Sequence, residues 1–205
     1  MSTLIQDQYT DTRRNFRQLF ETYEAGLNGS REHTIHQLRR KALQRLDSLP
    51  FPTRRDEEWK YTPVTRLLQP DYADGPALPS PAVEVPLPPL AEGARLVFVN
   101  GRLQEELSTR KELPGGMTLT TVEEAFGEER FRQHLQPFFE HWAEEENDPF
   151  IVLNAALSRK GIFIHIPRNT TVEEPLHLMY LAAPAGQPAA AHPQVFVWAE
   201  ENSEF

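Results

Sequence analysis

Four histidines occupy positions from which they could act in pairs. His33 and His36 are three residues apart in a stretch with helical periodicity, so two imidazoles could share a metal ion there, with Glu32 beside them. No third ligand is identifiable, and a solvated helix face is the alternative. His165 and His177 lie on successive predicted strands and could stack on one face of a sheet; the alternative is two satisfied or exposed strand histidines.

Other arrangements that support catalysis are missing from the sequence. Asp56, Glu57 and Glu58 are consecutive, and adjacent helical residues point apart, which argues against a carboxylate pair. Gly115-Gly116 lacks the Lys and Ser/Thr of a phosphate-binding loop, and no G-x-S-x-G nucleophile elbow occurs. The chain has no cysteine, which excludes disulfides, thiolate catalysis and Cys-ligated zinc or iron–sulfur sites within it. We therefore predict no catalytic, cofactor-binding or metal-binding residue, and interpret the chain as not an enzyme.

Composition narrows the kinds of partner. The 205 residues allow one large domain or two small ones, and 39% of them are hydrophobic. The net charge of −9 argues against nucleic acid or an anionic membrane, because both need a basic face. No apolar run approaches the roughly 20 residues of a membrane-spanning helix, and residues 1–10 do not resemble a secretory signal. We expect a soluble, cytoplasmic protein.

The first half of the chain has helical periodicity. Apolar residues recur at helical spacing over residues 16–27 and 35–49, which predicts an antiparallel helical hairpin ended by Pro50. Residues 51–63 then follow, and their Thr53 and Asp56 resemble a capping box that predicts a short helix over 54–59. The charges of this segment form either a binding surface or a solvated face with local ion pairs.

A proline-rich stretch separates this half from the rest. Its proline density forbids a helix or an inner strand, so we predict an extended connector over 69–93. A strand at 95–99 follows, with Asn100-Gly101 as a hairpin turn and a return strand through Leu107. Further predictions are an extended piece at 117–120, a short helix opened by a capping box at 121–124, a helix over 131–142 kinked or split at Pro137, and a helix from Asp148-Pro149 to about Ser158.

The period of the apolar residues changes at Gly161. Three short segments rich in β-forming residues follow, at 162–166, 176–181 and 195–198, and we predict a strand in each. Their centres are about 15 residues apart or a little more. This spacing suits coils of a parallel β-helix, with a simple meander as the alternative. The fold class is thus α+β, with predicted domains 1–68 (helical hairpin and the segment after it), 69–93 (connector), 94–158 (mixed α/β) and 159–205 (start of a β-helix).

Three segments carry a family resemblance. They are FPTRRDEEWKYTP at 51–63, LVFVNGR at 96–102 and the run from Asp148 to Leu181, and they resemble the SufB/SufD family of the SUF iron–sulfur cluster assembly system. They occur in the family's order and together span most of the chain. The SufB branch shares the β-helix segment but usually lacks the RRDEEWKYT signature, so the resemblance favours the SufD branch.

The resemblance implies a chain of about twice this length, with a helical N-terminal domain, a right-handed parallel β-helix and a C-terminal helical domain. It implies a non-catalytic scaffold that pairs with a SufB-like protein and binds the SufC-like ATPase. The iron–sulfur cluster and ATP belong to that context, and the residues that matter for cluster building would lie beyond Phe205. The alternatives are a β-helix carbohydrate-active or acyl-transfer enzyme, or a generic interaction module. An open strand edge predicts self-association through residues 161–205.

Overall fold

A computed structural model describes residues 9–27, 33–68, 71–74, 93–109, 116–183 and 188–205. The helices are α1 (Thr10–Ala25), α2 (Thr34–Leu46), α3 (Val122–Gly127), α4 (Glu129–Glu144) and α5 (Pro149–Leu157), with 3-10 turns at Glu57–Trp59, Val64–Arg66 and Glu105–Leu107. The strands are β1 (Ala73–Asp74), β2 (Ala94–Val99), β3 (Arg102–Leu103), β4 (Thr118–Thr121), β5 (Ile162–Ile166), β6 (Leu176–Leu181), β7 (Ala189–Ala190) and β8 (Val195–Ala199).

The chain divides into two compact units. The helical unit comprises the residues up to Ala73 together with Gln133–Leu157, and the β unit comprises Asp74–Arg132 together with Ser158–Phe205. Most of the predicted proline-rich connector lies outside the described residues, as does most of the loop predicted at 184–188. Among the described residues, no helix is both long enough and apolar enough to cross a membrane.

Helices α1 and α2 form the predicted antiparallel hairpin. Arg13, near the start of α1, bonds the carbonyl oxygens of Leu46 and Leu49 at the end of α2. Glu24, near the end of α1, lies 2.8 Å from His36 at the start of α2. The predicted apolar stripes face the core of this unit, since Phe16, Leu19, Phe20, Ile35, Leu38, Ala42 and Leu46 are all buried.

Helix α5 also belongs to the helical unit and packs on α2. Its start is the predicted one: Asp148 Oδ1 accepts hydrogen bonds from the amides of Phe150 (2.7 Å) and Ile151 (3.3 Å), and Pro149 is the first helical residue. Arg45 of α2 donates to the carbonyls of Glu146 (2.6 Å) and Glu145 (3.0 Å), just past the end of α4. Side chains thus satisfy backbone groups that the helix ends leave open.

The structure corrects three local predictions: the helix over 54–59, the alternative of two separate helices at Pro137, and the length of the return strand. The helix predicted over 54–59 is only a 3-10 turn at Glu57–Trp59. Helix α4 continues through Pro137 without a break into two helices, and Leu135 and Phe139 on either side of it are buried. Burial of that stripe outweighs the one hydrogen bond that proline removes. The return strand predicted as far as Leu107 ends at Leu103 and continues into a 3-10 turn.

The β unit contains two three-stranded sheets. In one sheet, β2 pairs antiparallel with β3 and parallel with β6. The β2–β3 turn is the predicted one, with Asn100 at φ +49° and Gly101 at φ +78°, which is the type I′ geometry. In the other sheet, β5 pairs antiparallel with β4 and parallel with β8. The core between the sheets is built from Leu96, Phe98, Met117, Ile162, Ile164 and Ile166.

The order of strands excludes a meander after Gly161. A meander would pair β5 with β6, but β6 lies in the other sheet beside β2. The chain leaves β5, crosses to the second sheet at β6, and returns at β8 parallel to β5, with Val195 opposite Ile162, 33 residues further along. The predicted strands at 162–166 and 176–181 have these bounds, and the third extends to Ala199.

Candidate functional site

His33 and His36 do not form a pair. His33 is exposed just before α2 begins, whereas the side chain of His36 is 2% exposed. The His36 ring stacks on Phe20, with centroids 5.4 Å apart, and its Nε2 lies 2.8 Å from Glu24 Oε1. Glu32 lies outside the described residues. The hypothesis of a shared metal ion is therefore not supported by the geometry of these two side chains.

The bond between His36 and Glu24 joins a neutral ring to a carboxylate. Burial lowers the pKa of His36, and the hydrogen bond to Glu24 only partly opposes this. The pKa of Glu24 is also lowered, first by the hydrogen bond from His36 and further by Arg40, whose Nε is 2.5 Å from Glu24 Oε1. At neutral pH, Nε2–H of His36 donates to ionised Glu24, which fastens α1 to α2.

His165 and His177 are on different sheets. His165 is in β5 and lies opposite Trp198 of β8, whereas His177 is in β6 and lies opposite Arg95 of β2. The side chain of His165 is 8% exposed, and His177 is exposed. The expectation that they stack on one face was wrong, because consecutive strands of this chain belong to separate sheets.

His165 instead belongs to an aromatic cluster with a carboxylate at its edge. Its ring centroid is 4.6 Å from that of Trp198 and 5.2 Å from that of Phe131. Its Nε2 is 2.9 Å from Glu200 Oε1, and the second oxygen of Glu200 accepts the amide of Arg168 at 3.0 Å. The hydrogen bond from His165 is the main reason that the pKa of Glu200 is lowered. Glu200 thus ties the end of β5 to the end of β8.

The role of Glu200 was not predicted from the sequence. It lies 35 residues after His165 and in no recognisable motif, so only the parallel pairing of β5 with β8 reveals the contact. A rule that pairs residues across one coil of a solenoid could have found it, but the register of the coil must be known first.

The acidic triplet at 56–58 is not an acid–base pair. Asp56 Oδ2 accepts the amide (2.7 Å) and the hydroxyl (3.1 Å) of Thr53, and these bonds lower the pKa of Asp56. Glu57 and Glu58 are exposed. Within the described ranges, no three His, Asp or Glu side chains converge as they would to hold a metal ion.

An open cleft of about 260 Å³ lies at one end of the β-unit core. Its floor is apolar and includes Leu96 and Ile162, and its rim carries Glu105, Glu124 and Lys160. Glu124 accepts the amide of Thr121 at 3.1 Å in the predicted capping box of α3, so its position is set by the helix start. The hydroxyl of Thr120, which also lines the cleft, donates to Glu124 as well, so this carboxylate is occupied by the start of α3.

The uncovered strands β6 and β8 form the strongest candidate for a functional surface. Among the described residues, each lies at the edge of its sheet with no further strand beside it. Val195 and Val197 lie opposite the buried core residues Ile162 and Ile164, yet they are 40% and 44% exposed. Tyr180 of β6 is 44% exposed. An apolar inner face next to an unpaired backbone edge is suited to binding a further strand.

Comparison with known proteins adds to this geometry. Residues 10–178 match the family model described as the SufBD protein N-terminal region. The chain is also 30% identical over 183 residues to a Synechocystis sp. protein described as an iron–sulfur cluster assembly SufBD family protein. That alignment covers 88% of this chain and 40% of the relative, so the chain spans less than half the length of the relative. The chain therefore belongs to the SufBD family, and the part of the family that it matches is the N-terminal region.

Proposed function

We propose that this chain is the N-terminal portion of a non-catalytic SufD-type scaffold in a SUF iron–sulfur cluster assembly complex. The family match over residues 10–178 is the observation that carries the proposal, because membership suggests a part in iron–sulfur cluster assembly. The partners we propose are a SufB-like protein and a SufC-like ATPase. The SufD branch is favoured by the segment at 51–63, whose Trp59 packs on Phe150 with ring centroids 5.3 Å apart.

The β unit supports the proposed architecture. We propose that β5, β6 and β8 begin a parallel β-helix, in which each coil contributes a strand to both sheets. The parallel return of β8 beside β5 after 33 residues is the geometry expected of one coil. Crossover connections between parallel strands of one sheet are right-handed in about 98% of cases, which favours a right-handed coil.

The described residues contribute structure to this function rather than cluster chemistry. The chain supplies no thiol, and the buried histidines His36 and His165 are each hydrogen-bonded to a carboxylate. The iron–sulfur cluster is then a product that the complex builds, and the role of this portion is to hold the fold on which assembly takes place.

Co-purification tests the assignment. The longer protein that contains this chain should be expressed with a tag, together with the ATPase and SufB-like protein of the same genome. We expect all three to elute together in gel filtration at fixed stoichiometry. If the tagged protein eluted alone although both others were soluble, the scaffold assignment would be wrong.

The open edges lead us to propose that the 205-residue chain by itself associates with a second copy through residues 161–205. The exposed inner faces of Val195 and Val197 would be removed from water, and the free edge of β8 would gain a strand. Sedimentation should show a concentration-dependent dimer that Val197→Lys abolishes. Arg14→Glu is the matched control, since Arg14 is exposed in the other unit. A strict monomer at high concentration would refute the proposal.

A further inference from the structure

An exposed stretch of the helical unit, residues 54–67, carries cations that its own unit does not neutralise. We refer to it as the basic–aromatic segment. Among the described residues, the side chains of Arg54, Arg55 and Arg66 are exposed and make no ion pair. The ammonium group of Lys60 lies over the ring of Tyr61, 5.5 Å from its centroid, and also makes no ion pair. Four cations within thirteen residues therefore remain available to a partner.

Every other described Lys or Arg of the helical unit is engaged. Three of them form ion pairs with carboxylates outside their own helix: Arg17 with Asp47, Arg40 with Glu24, and Lys41 with Glu144. Arg14 forms an ion pair with Asp11 on its own helix. Arg13 and Arg45 donate to backbone carbonyls, and Arg39 donates to the hydroxyl of Tyr23. The contrast shows that the unpaired cations are concentrated in one place rather than scattered over the surface.

The backbone of the segment is held in position. Trp59 contacts Phe150 of α5, and the amide of Thr62 donates to the carbonyl of Trp59 at 3.0 Å. Before the segment, Thr53 is fastened to Asp56 by two hydrogen bonds. Val64, within the segment, is 6% exposed and anchors its second half. A surface already fixed in this way loses little conformational entropy when a partner binds.

Apolar surface accompanies the charge. Tyr61 is 87% exposed and Leu67 is 54% exposed, the former directly beside Lys60. Tyrosine and arginine are enriched among the residues that dominate binding energy at protein interfaces. An exposed tyrosine on an ordered backbone, flanked by unpaired cations, has the composition of such an interface.

Charge complementarity indicates what the partner presents. Four cations of the segment stand against three exposed carboxylates, those of Asp56, Glu57 and Glu58, so the segment is slightly basic. The bonds that Asp56 accepts from Thr53 come from neutral groups and leave its charge in place. The whole chain carries a net charge of −9. An acidic partner would be repelled by most of this chain and attracted here, so the segment would set the orientation of docking.

We propose that the basic–aromatic segment is a docking surface for a protein partner that presents an acidic face with an apolar centre. The carboxylates of the partner meet Arg54, Arg55 and Lys60, and its apolar side chains cover Tyr61. This inference does not depend on the role of the chain in cluster assembly, since it rests on the charges and exposure of the segment itself.

Two synthetic peptides test the proposal against the 205-residue chain. One is a labelled 20-residue helix-forming peptide with a Glu-rich face and a Leu stripe, and the second replaces each Leu by Gln. Fluorescence anisotropy at low salt should show that the Leu-containing peptide binds more tightly. Arg54→Glu combined with Arg55→Glu should weaken binding of both peptides about tenfold or more, because two attractions become repulsions. Tyr61→Ser should weaken only the Leu-containing peptide, by about threefold.

Arg14→Glu is the matched control, because it reverses an exposed charge of the same unit outside the segment. It should leave both affinities within about twofold of the parent. Circular dichroism should show that all variants keep the parent fold, and Arg54→Gln with Arg55→Gln should give an intermediate loss. Equal weakening by the control and the Arg54/Arg55 variants would overturn the proposal. Tighter binding of a 20-nucleotide single-stranded DNA than of either peptide, lost in the Arg54/Arg55 variants, would also overturn it in favour of nucleic acid.

Discussion

His192 should make the β unit sensitive to mild acid. Its Nε2 is buried without a hydrogen-bond partner among the described residues. Burial, and then repulsion from the nearby Arg159 guanidinium, lower the pKa of His192 from about 6.5 to about 4. The unfolded chain therefore takes up this proton more readily than the folded one, so stability is lost as the pH falls from about 6.5 towards 4.

The size of the loss follows from these two pKa values. Proton linkage gives a cost of about 2 kcal/mol at pH 5 and about 0.2 kcal/mol at pH 7, and the cost levels off at about 3 kcal/mol below pH 4. His192→Gln removes the titrating group while keeping a polar side chain. Between pH 7 and pH 5, the variant should therefore lose about 2 kcal/mol less unfolding free energy than the parent.

Urea unfolding at both pH values measures this difference in a background that carries Trp59→Phe and Trp142→Phe, so that Trp198 alone reports on the β unit. His177→Gln is the matched control, because it makes the same exchange at a histidine that is exposed on β6. The reasoning is refuted if His192→Gln and the parent lose the same unfolding free energy, within about 0.5 kcal/mol, between pH 7 and pH 5.

Two further substitutions test how parallel strands are held beside each other, β2 beside β6 and β5 beside β8. Gly93→Ala should cost about 3 kcal/mol or more in thermal unfolding, because Gly93 has φ +81° and a Cβ there would lie 1.9 Å from the carbonyl oxygen of Pro175. Gly127→Ala, where nothing lies within 4 Å, should stay within about 1 kcal/mol of the parent, and equal losses in both would contradict the steric argument. Glu200→Gln should speed hydrogen exchange at the Arg168 amide on the order of tenfold, by weakening the charge-assisted bond that holds it; unchanged exchange would show that the carboxylate charge is unimportant.

Local signals in the sequence predicted element ends well. The Thr121 to Glu124 capping box, the Asn100-Gly101 turn and the Asp148-Pro149 helix start all occur as predicted. Each depends on atoms within four residues of one another, so the information is complete within the motif. The turn and the Asp148-Pro149 start also lie in segments that carry the family resemblance, whereas the capping box does not.

Pairing between distant strands could not be predicted in this way. The sequence contains nothing that joins β2 to β6, and their register partners Ala94 and Leu176 are 82 residues apart. This is why His165 and His177 were expected together although they lie in separate sheets, and why Glu200 was missed. The exposure of Val197 likewise depends on which strands flank β8, and the alternation of side chains along β8 does not reveal it.

The long-range partnership of β2 has a consequence for synthesis. Helices α1 and α2 can pair as soon as Leu49 has been made, because their contacts are close in sequence. Strand β2 must wait for Leu181 before its parallel neighbour exists, which at 5 to 20 residues per second is roughly 4 to 16 s. During that interval only β3 pairs with β2 among the strands described here, and its other edge is open to neighbouring nascent chains. Translation speed over residues 100–181 should therefore govern how much of the protein reaches the native state rather than aggregating on the ribosome.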